Sequence, residues 1–185
     1  TIGVLETGHF AKAGIKTKYM AGHPEGHPHM TVDQQRQFEA RKVAISKEQG
    51  FELKFTTQVC FESQPIIEWE KIMRGNGITN TIRPGLGGPA SIKTLLRYAK
   101  ICGAGASIRA LTSGKASLIA GLLKDSGPEE VVTQLAAAKG SGQSNFESVH
   151  LFAFGGFLKT TKWVSAVQNG RFTLNTKDGD FEVQM

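Results

Sequence analysis

The 185-residue chain has two cysteines, six prolines and no long apolar run. No stretch approaches the roughly 18 to 20 consecutive apolar residues that cross a bilayer. The N-terminus has no basic region followed by an apolar one, so no membrane partner and no secretion are expected, and the cytoplasm is the expected compartment. Cys60 and Cys102 sit in apolar contexts without C-x-x-C spacing, which predicts reduced, buried thiols instead of a disulfide or a metal pair. A basic block is also missing. The formal net charge of +6 is spread over many segments and no aromatic residues interleave it in a nucleic-acid-binding pattern, so no nucleic-acid partner is expected. The chain begins at Thr1, inside an apparent helix carrying Ile2, Val4, Leu5 and Phe10 and stopped by Gly14, and a fragment or processed form is the expectation.

What is present is a concentration of histidine. Ala21-Gly22-His23-Pro24-Glu25-Gly26-His27-Pro28-His29 follows a short β-rich run from Thr17 to Met20. Its prolines deny N–H donors to a continuing ladder and its glycines permit backbone angles that side chains forbid, so the segment is predicted to be a constrained loop at a strand end. In an α/β protein that is where ligands bind. His23, Glu25, His27 and His29 form an imidazole and carboxylate set that suits zinc or non-haem iron. Hydrogen bonding to a ligand and a purely structural loop are the alternatives, because side chains on a short extended segment diverge.

The length fits one domain spanning residues 1–185. Thr31 and Gln34 have the spacing of a capping box, and a helix is predicted from there to Gln49, with Gly50 as its stop. Leu53, Phe55 and Thr57 alternate as in a strand leading to Gln58. Ser63 is a predicted cap, with Pro65 in the first turn of a helix whose apolar face is Ile66, Ile67, Trp69, Ile72 and Met73. A further strand is predicted over Thr79 to Arg83, broken by Pro84-Gly85-Leu86-Gly87-Gly88-Pro89, and then a helix from Ser91 to Ile101. Ser148 to Phe154, Gly155-Gly156 and a helix over Lys159 to Gln168 make a fourth unit. The repetition predicts parallel strands with helical crossovers, as in a doubly wound sheet or a (β/α)8 barrel. Ser107 to Lys139 reads as a helical insertion, followed by a flexible Gly140 to Ser144. Arg171 to Leu174 and Phe181 to Val183, around Asp178-Gly179, read as a terminal hairpin.

Gln58, at a strand end, has the donor and acceptor capacity to read an amide-like ring edge, or else to satisfy a local network. Arg41 and Lys42 either offer cations to phosphates or form a solvated helix face. The Pro84–Pro89 glycine-rich segment lacks the Lys-Ser/Thr of a phosphate-binding loop, and no G-x-S-x-G elbow is present.

Four segments, in order, resemble the methylenetetrahydrofolate reductase family: His23-Pro24-Glu25-Gly26-His27-Pro28, Arg41-Lys42-Val43, Thr57-Gln58-Val59-Cys60-Phe61-Glu62 and Ile82-Arg83-Pro84-Gly85-Leu86. The resemblance covers roughly Thr17 to Asn169 and implies the second half of a (β/α)8 barrel, strands five to eight with their helices. It implies a flavin-dependent reductase that uses NADH or NADPH, through FAD, to reduce methylene-tetrahydrofolate to methyl-tetrahydrofolate. His23 and His27 are thereby assigned to the flavin site, Arg41 and Lys42 to its phosphates, and Gln58 to a folate-type substrate or the nicotinamide. Thr94 stands where many members carry Gln, and Gly156 where some carry Arg. The family's acidic catalytic residue on strand one has no counterpart here, so no catalytic residue is assigned and the chain alone is expected to be inactive. Half a barrel leaves open edges and, by expectation, an exposed apolar inner face carrying Phe152 and Phe154, so a homo-oligomer is expected. The alternatives are a metal-dependent barrel hydrolase using His23, Glu25, His27 and His29, and a non-catalytic flavin- or folate-binding relic.

Overall fold

The computed structural model describes residues 1–102, 125–142, 144–175 and 180–184. Its centre is a curled, parallel sheet of four strands, β1 (Thr17–Gly22), β2 (Glu52–Cys60), β3 (Ile82–Gly87) and β6 (His150–Phe152), neighbouring one another in chain order. A two-stranded pair, β4 (Ala90–Ser91) with β5 (Asp125–Ser126), and a terminal antiparallel hairpin, β7 (Phe172–Asn175) with β8 (Asp180–Val183), complete the strands. The hairpin is the one read from the sequence, although Asp178-Gly179 lies outside the described residues.

Helices α3 (Val32–Gln49) and α4 (Gln64–Gly75) cross from β1 to β2 and from β2 to β3. The capping box on α3 forms in both directions: the Gln34 N–H donates to Thr31 Oγ1 at 3.2 Å and the Thr31 N–H to Gln34 Oε1 at 2.9 Å. Gly50 ends the helix in the left-handed region, at φ 69°. Ser63 does not cap α4 with its side chain, because its hydroxyl bonds to the Gln134 amide oxygen instead. Ile72, assigned to the apolar face, is exposed, whereas Ile66, Trp69 and Met73 are in the core. The N-terminal helix is split by Gly8, at φ 68°, into α1 (Ile2–Glu6) and α2 (His9–Lys12).

β3 corrects the sequence reading. The strand lies over Ile82–Gly87, so Pro84 and Gly85 are inside it and do not break it. The register to β2 shifts between Thr56 and Val59, and Pro84 falls opposite that irregularity, where a missing N–H costs no ladder bond. The Gly85 N–H is taken by Thr57 Oγ1 at 2.8 Å. A Cβ on Gly85 would collide with the Thr57 carbonyl, so the strands approach closely because this residue has no side chain.

The helix that completes the third crossover also differs from expectation. α6 (Glu129–Gly140) buries Leu135 in the main core and packs Val131, Val132 and Ala138 against it, although it falls at the end of the segment read as an insertion. α5 (Ile92–Cys102) buries Leu95 and Ala99 outside that core and sets its last carbonyl against the Gln58 side chain, so it is the added element. The rest of the Ser107–Lys139 insertion, up to residue 124, lies outside the described residues. α7 (Phe157–Gln168) follows β6 and ties back to α6 through Trp163 Nε1 donating to Glu129 Oε1 at 2.7 Å.

Alternation on β2 separates the two faces of the sheet. Leu53 and Phe55 point into the core with Val43, Ile45, Ile66, Trp69 and Met73, while Lys54, Thr56 and Gln58 on the other face are half-buried. That inner face is not the apolar surface expected. Glu147 accepts from Lys54 at 2.9 Å and from Arg83 at 3.3 Å, and the Arg83 guanidinium lies 4.0 Å from the centre of the Tyr19 ring. Lys54, followed by Arg83, holds the Glu147 carboxyl below the usual carboxylate range. Phe152 and Phe154 are half-buried, because Phe154 stacks on Tyr98 at 4.2 Å and on Phe152 at 5.6 Å. Of the two thiols, Cys60 is buried and Cys102 only partly so, and neither is in a disulfide. Among the described residues no helix is long and apolar enough to cross a membrane.

Gly22, the last residue of β1, faces the Trp69 ring so closely that an added Cβ would lie 2.6 Å from it. Gly22→Ala is therefore expected to lower the unfolding free energy by about 1–3 kcal/mol through overpacking. Gly75→Ala, which meets nothing within 4 Å, is expected to be neutral or to stabilise by up to about 1 kcal/mol. Urea denaturation of the two variants decides the point, and equal effects would show that Trp69 does not seat against the end of β1.

Candidate functional site

The carboxyl end of β1 opens into a cleft of about 460 Å³ between the His23–Met30 loop, the start of α1 and one face of α3. Gln35, Phe38, Glu39 and Lys42 lie at spacings i, i+3, i+4 and i+7 on α3 and therefore share that face. The Lys42 ammonium donates to the Ala21 carbonyl at 2.8 Å, which fixes the helix to the strand end. Burial lowers the Lys42 pKa, and the Glu39 carboxylate opposes that shift. Glu39 is 2 % exposed and already committed: it accepts from Trp69 Nε1 at 2.9 Å and from Arg36 Nη1 at 2.7 Å.

The loop is compact. The Gly26 N–H returns to the His23 carbonyl at 3.1 Å, with Gly26 at φ 94°, and the His29 N–H donates to His27 Nδ1 at 3.2 Å. The His23 and His27 rings meet edge to face, 5.1 Å between centres. His23 titrates at about 4, pushed down by burial first and then by Lys42 and His27, so its imidazole is neutral at physiological pH.

Of the residues that the sequence singles out, His23, His27 and Lys42 come together in this cleft. Arg41 does not: it projects from another face of α3 and pairs with Glu6 and Glu48, each at 2.9 Å, tying α1 down. Gln58 stands on β2, on the sheet face opposite the core, where its amide donates to the Cys102 carbonyl. His29 is exposed. Glu25 turns toward the end of β2, where burial and then the Glu25 carboxylate raise the pKa of the Cys60 thiol. Among the described residues no group of three or more His, Cys, Asp or Glu side chains is arranged to hold a metal ion.

Sequence reasoning missed Gln35. The side chain is 4 % exposed, lines the cleft, and has no hydrogen-bond partner for its amide nitrogen. The signal was the polar stripe Gln35, Glu39, Lys42, which lies on the buried side of a helix. A second cavity, of about 600 Å³, lies at the carboxyl ends of β2 and β3 beside Phe61, Ser63, Gly87 and Leu95.

No family model matches the chain. The chemistry is thus read from the donor set. Lys42, the Gln35 amide N–H and one nitrogen of neutral His23 offer donors, the other His23 nitrogen accepts, and the buried Glu39 carboxylate already takes one bond on each oxygen, from Trp69 and Arg36. Such a cleft suits a ligand that carries acceptors.

The depressed His23 pKa has a consequence for stability. The unfolded imidazole takes up its proton near 6.5 and the folded one only near 4, so protons favour the unfolded chain as the pH falls through that interval. Stability is expected to be level above pH 6.5 and to decline from there to about pH 4, and His23→Asn is expected to flatten the decline. Denaturant midpoints of both proteins between pH 7.5 and 4.5 would test it, and parallel curves would count against it.

Proposed function

We propose that this chain is the second half of a (β/α)8 flavin-dependent reductase of the methylenetetrahydrofolate reductase type. The observation that carries the reading is the convergence of His23, His27 and Lys42, three of the four residues that the resemblance gives to the flavin, in one donor-rich cleft at the end of β1. Consecutive parallel strands in chain order, joined by α3, α4 and α6, support the barrel half of the reading. The chemistry supplied by bound FAD is hydride carriage from NADH or NADPH to methylene-tetrahydrofolate.

The chain's own part is binding and orientation. Lys42 and His23 would hold the phosphate-bearing portion, and Ala21 brings the strand end against it. Gln58 would contact the folate-type substrate or the nicotinamide after its amide leaves the Cys102 carbonyl. The proton donor that the reaction requires is not assigned to any residue of this chain.

Among the described strands, β1 pairs with β2 alone and β6 with β3 alone, so both edges offer unpaired backbone groups. Flavin is therefore expected to accompany an assembled species in which these edges are covered. On size-exclusion chromatography with light scattering in the presence of FAD, visible flavin absorbance should elute with a dimer or larger assembly and not at 20.0 kDa. Absence of flavin from every species would remove the reading.

A further inference from the structure

We propose that the second cavity, at the carboxyl ends of β2 and β3, is a separate binding site for a small organic ammonium, a protonated amine on a compact apolar body. It shares no lining residue with the cleft at the end of β1 and does not rest on the flavin reading.

Size admits such a ligand. The volume of about 600 Å³ falls within the roughly 300–1,000 Å³ of small-molecule pockets, and Phe61, Leu86, Leu95 and Val131 supply apolar walls. Gly87 makes the room. A Cβ on it would lie 2.8 Å from the Phe61 ring and 3.3 Å from Leu95, so the ring stands at this strand end because the residue has no side chain.

The polar lining decides the charge. Among the described residues that line the cavity there is no Lys, Arg or His, although the chain as a whole carries a formal +6. Two carboxylates are there, Glu62 and Glu130, and among the described residues neither forms an ion pair. Glu62 lies just before α4 and Glu130 in the first turn of α6, so two helix N-termini meet at the cavity and favour anions there without a partner cation.

Hydrogen bonds fix this arrangement. The Ser63 hydroxyl, on a residue 5 % exposed, donates to the Gln134 amide oxygen, and the Gln134 amide nitrogen donates to Glu130 Oε1 at 3.1 Å. Glu130 Oε2 and both Glu62 oxygens have no donor among the described residues. An anionic ligand would meet two like charges and no cation. A neutral apolar one would fill the walls and gain nothing from the carboxylates. An ammonium uses both, and the Phe61 ring adds to the attraction for a cation.

The test is calorimetric titration of the full chain at neutral pH with benzylammonium, its neutral isostere benzyl alcohol, and benzoate, with methyl NMR of Leu95 and Val131 to locate the ligand. Wild type should bind benzylammonium saturably, moving both sets of methyl signals, about fivefold more tightly than benzyl alcohol, and should not bind benzoate. Added salt should narrow that preference. Glu62→Gln and Glu130→Gln should each weaken benzylammonium by about two- to fivefold, and together by about tenfold, with benzyl alcohol unchanged. Both side chains are exposed, so the variants are expected to fold, which circular dichroism checks. The wild-type comparison of the ammonium with its isostere decides in any case. Equal affinity for the three compounds, ammonium binding that survives both substitutions, binding that leaves the Leu95 and Val131 methyls unmoved, or no binding at all would each overturn the proposal.

Discussion

The buried carboxylate of Glu39 is the interaction on which the β1 end of this molecule depends. It takes the Trp69 indole N–H from α4 and the Arg36 guanidinium from its own helix, so one side chain joins two crossovers. Trp69 in turn lies edge to face on Phe55 of β2, at 5.8 Å, and fills the space that Gly22 leaves at the end of β1. A buried charge is tolerated where hydrogen bonds satisfy it, and leaving either partner alone in the core is strongly destabilising. The same negative charge offsets part of the burial penalty on Lys42, whose ammonium then clasps the Ala21 carbonyl.

Function, on this account, follows from where that charge is spent. The Glu39 carboxylate takes one bond on each oxygen, from Trp69 and Arg36, and beside it the cleft wall carries the Lys42 ammonium, the Gln35 amide and a neutral His23. Arg41, one residue from Lys42, is rotated about 100° around the helix and serves a different end, holding α1 against α3 through Glu6 and Glu48. Two adjacent cations thus divide into a cleft-lining residue and a staple. The inner face of the sheet divides likewise, with an ion network of Lys54, Arg83 and Glu147 over β1 to β3 and stacked rings at β6.

Local rules made the crossovers legible where a single residue type decides the geometry. The Thr31–Gln34 box, the Gly50 stop, the β2 alternation and the terminal hairpin all formed as read. The misreadings arose where tertiary contacts outweigh a local signal. Pro84 reads as a breaker, yet it sits harmlessly opposite an irregular register. Ser63 reads as a cap, but a partner on α6 takes its hydroxyl. α5 has the stronger amphipathic pattern and looked like the third crossover, while the plainer α6 is the helix that reaches the core, a matter of packing that periodicity does not encode. The places of His23 and His27 on a strand-end loop and of Lys42 on the next helix, which meet in the cleft, were legible. Gln35 was not, since a polar residue on a helix reads as solvated unless the buried stripe it belongs to is recognised.

The central claim is that the ligand site is the cleft at the end of β1, and the five histidines report on it directly. His23 and His27 line the cleft, while His9 lies on α2 and His150 on β6. The measurement is a two-dimensional NMR spectrum of the imidazole carbons recorded during an FAD titration. The account predicts saturable shifts of the His23 and His27 resonances, with His9 and His150 unmoved. Unchanged His23 and His27 signals in protein that has demonstrably bound flavin would contradict it.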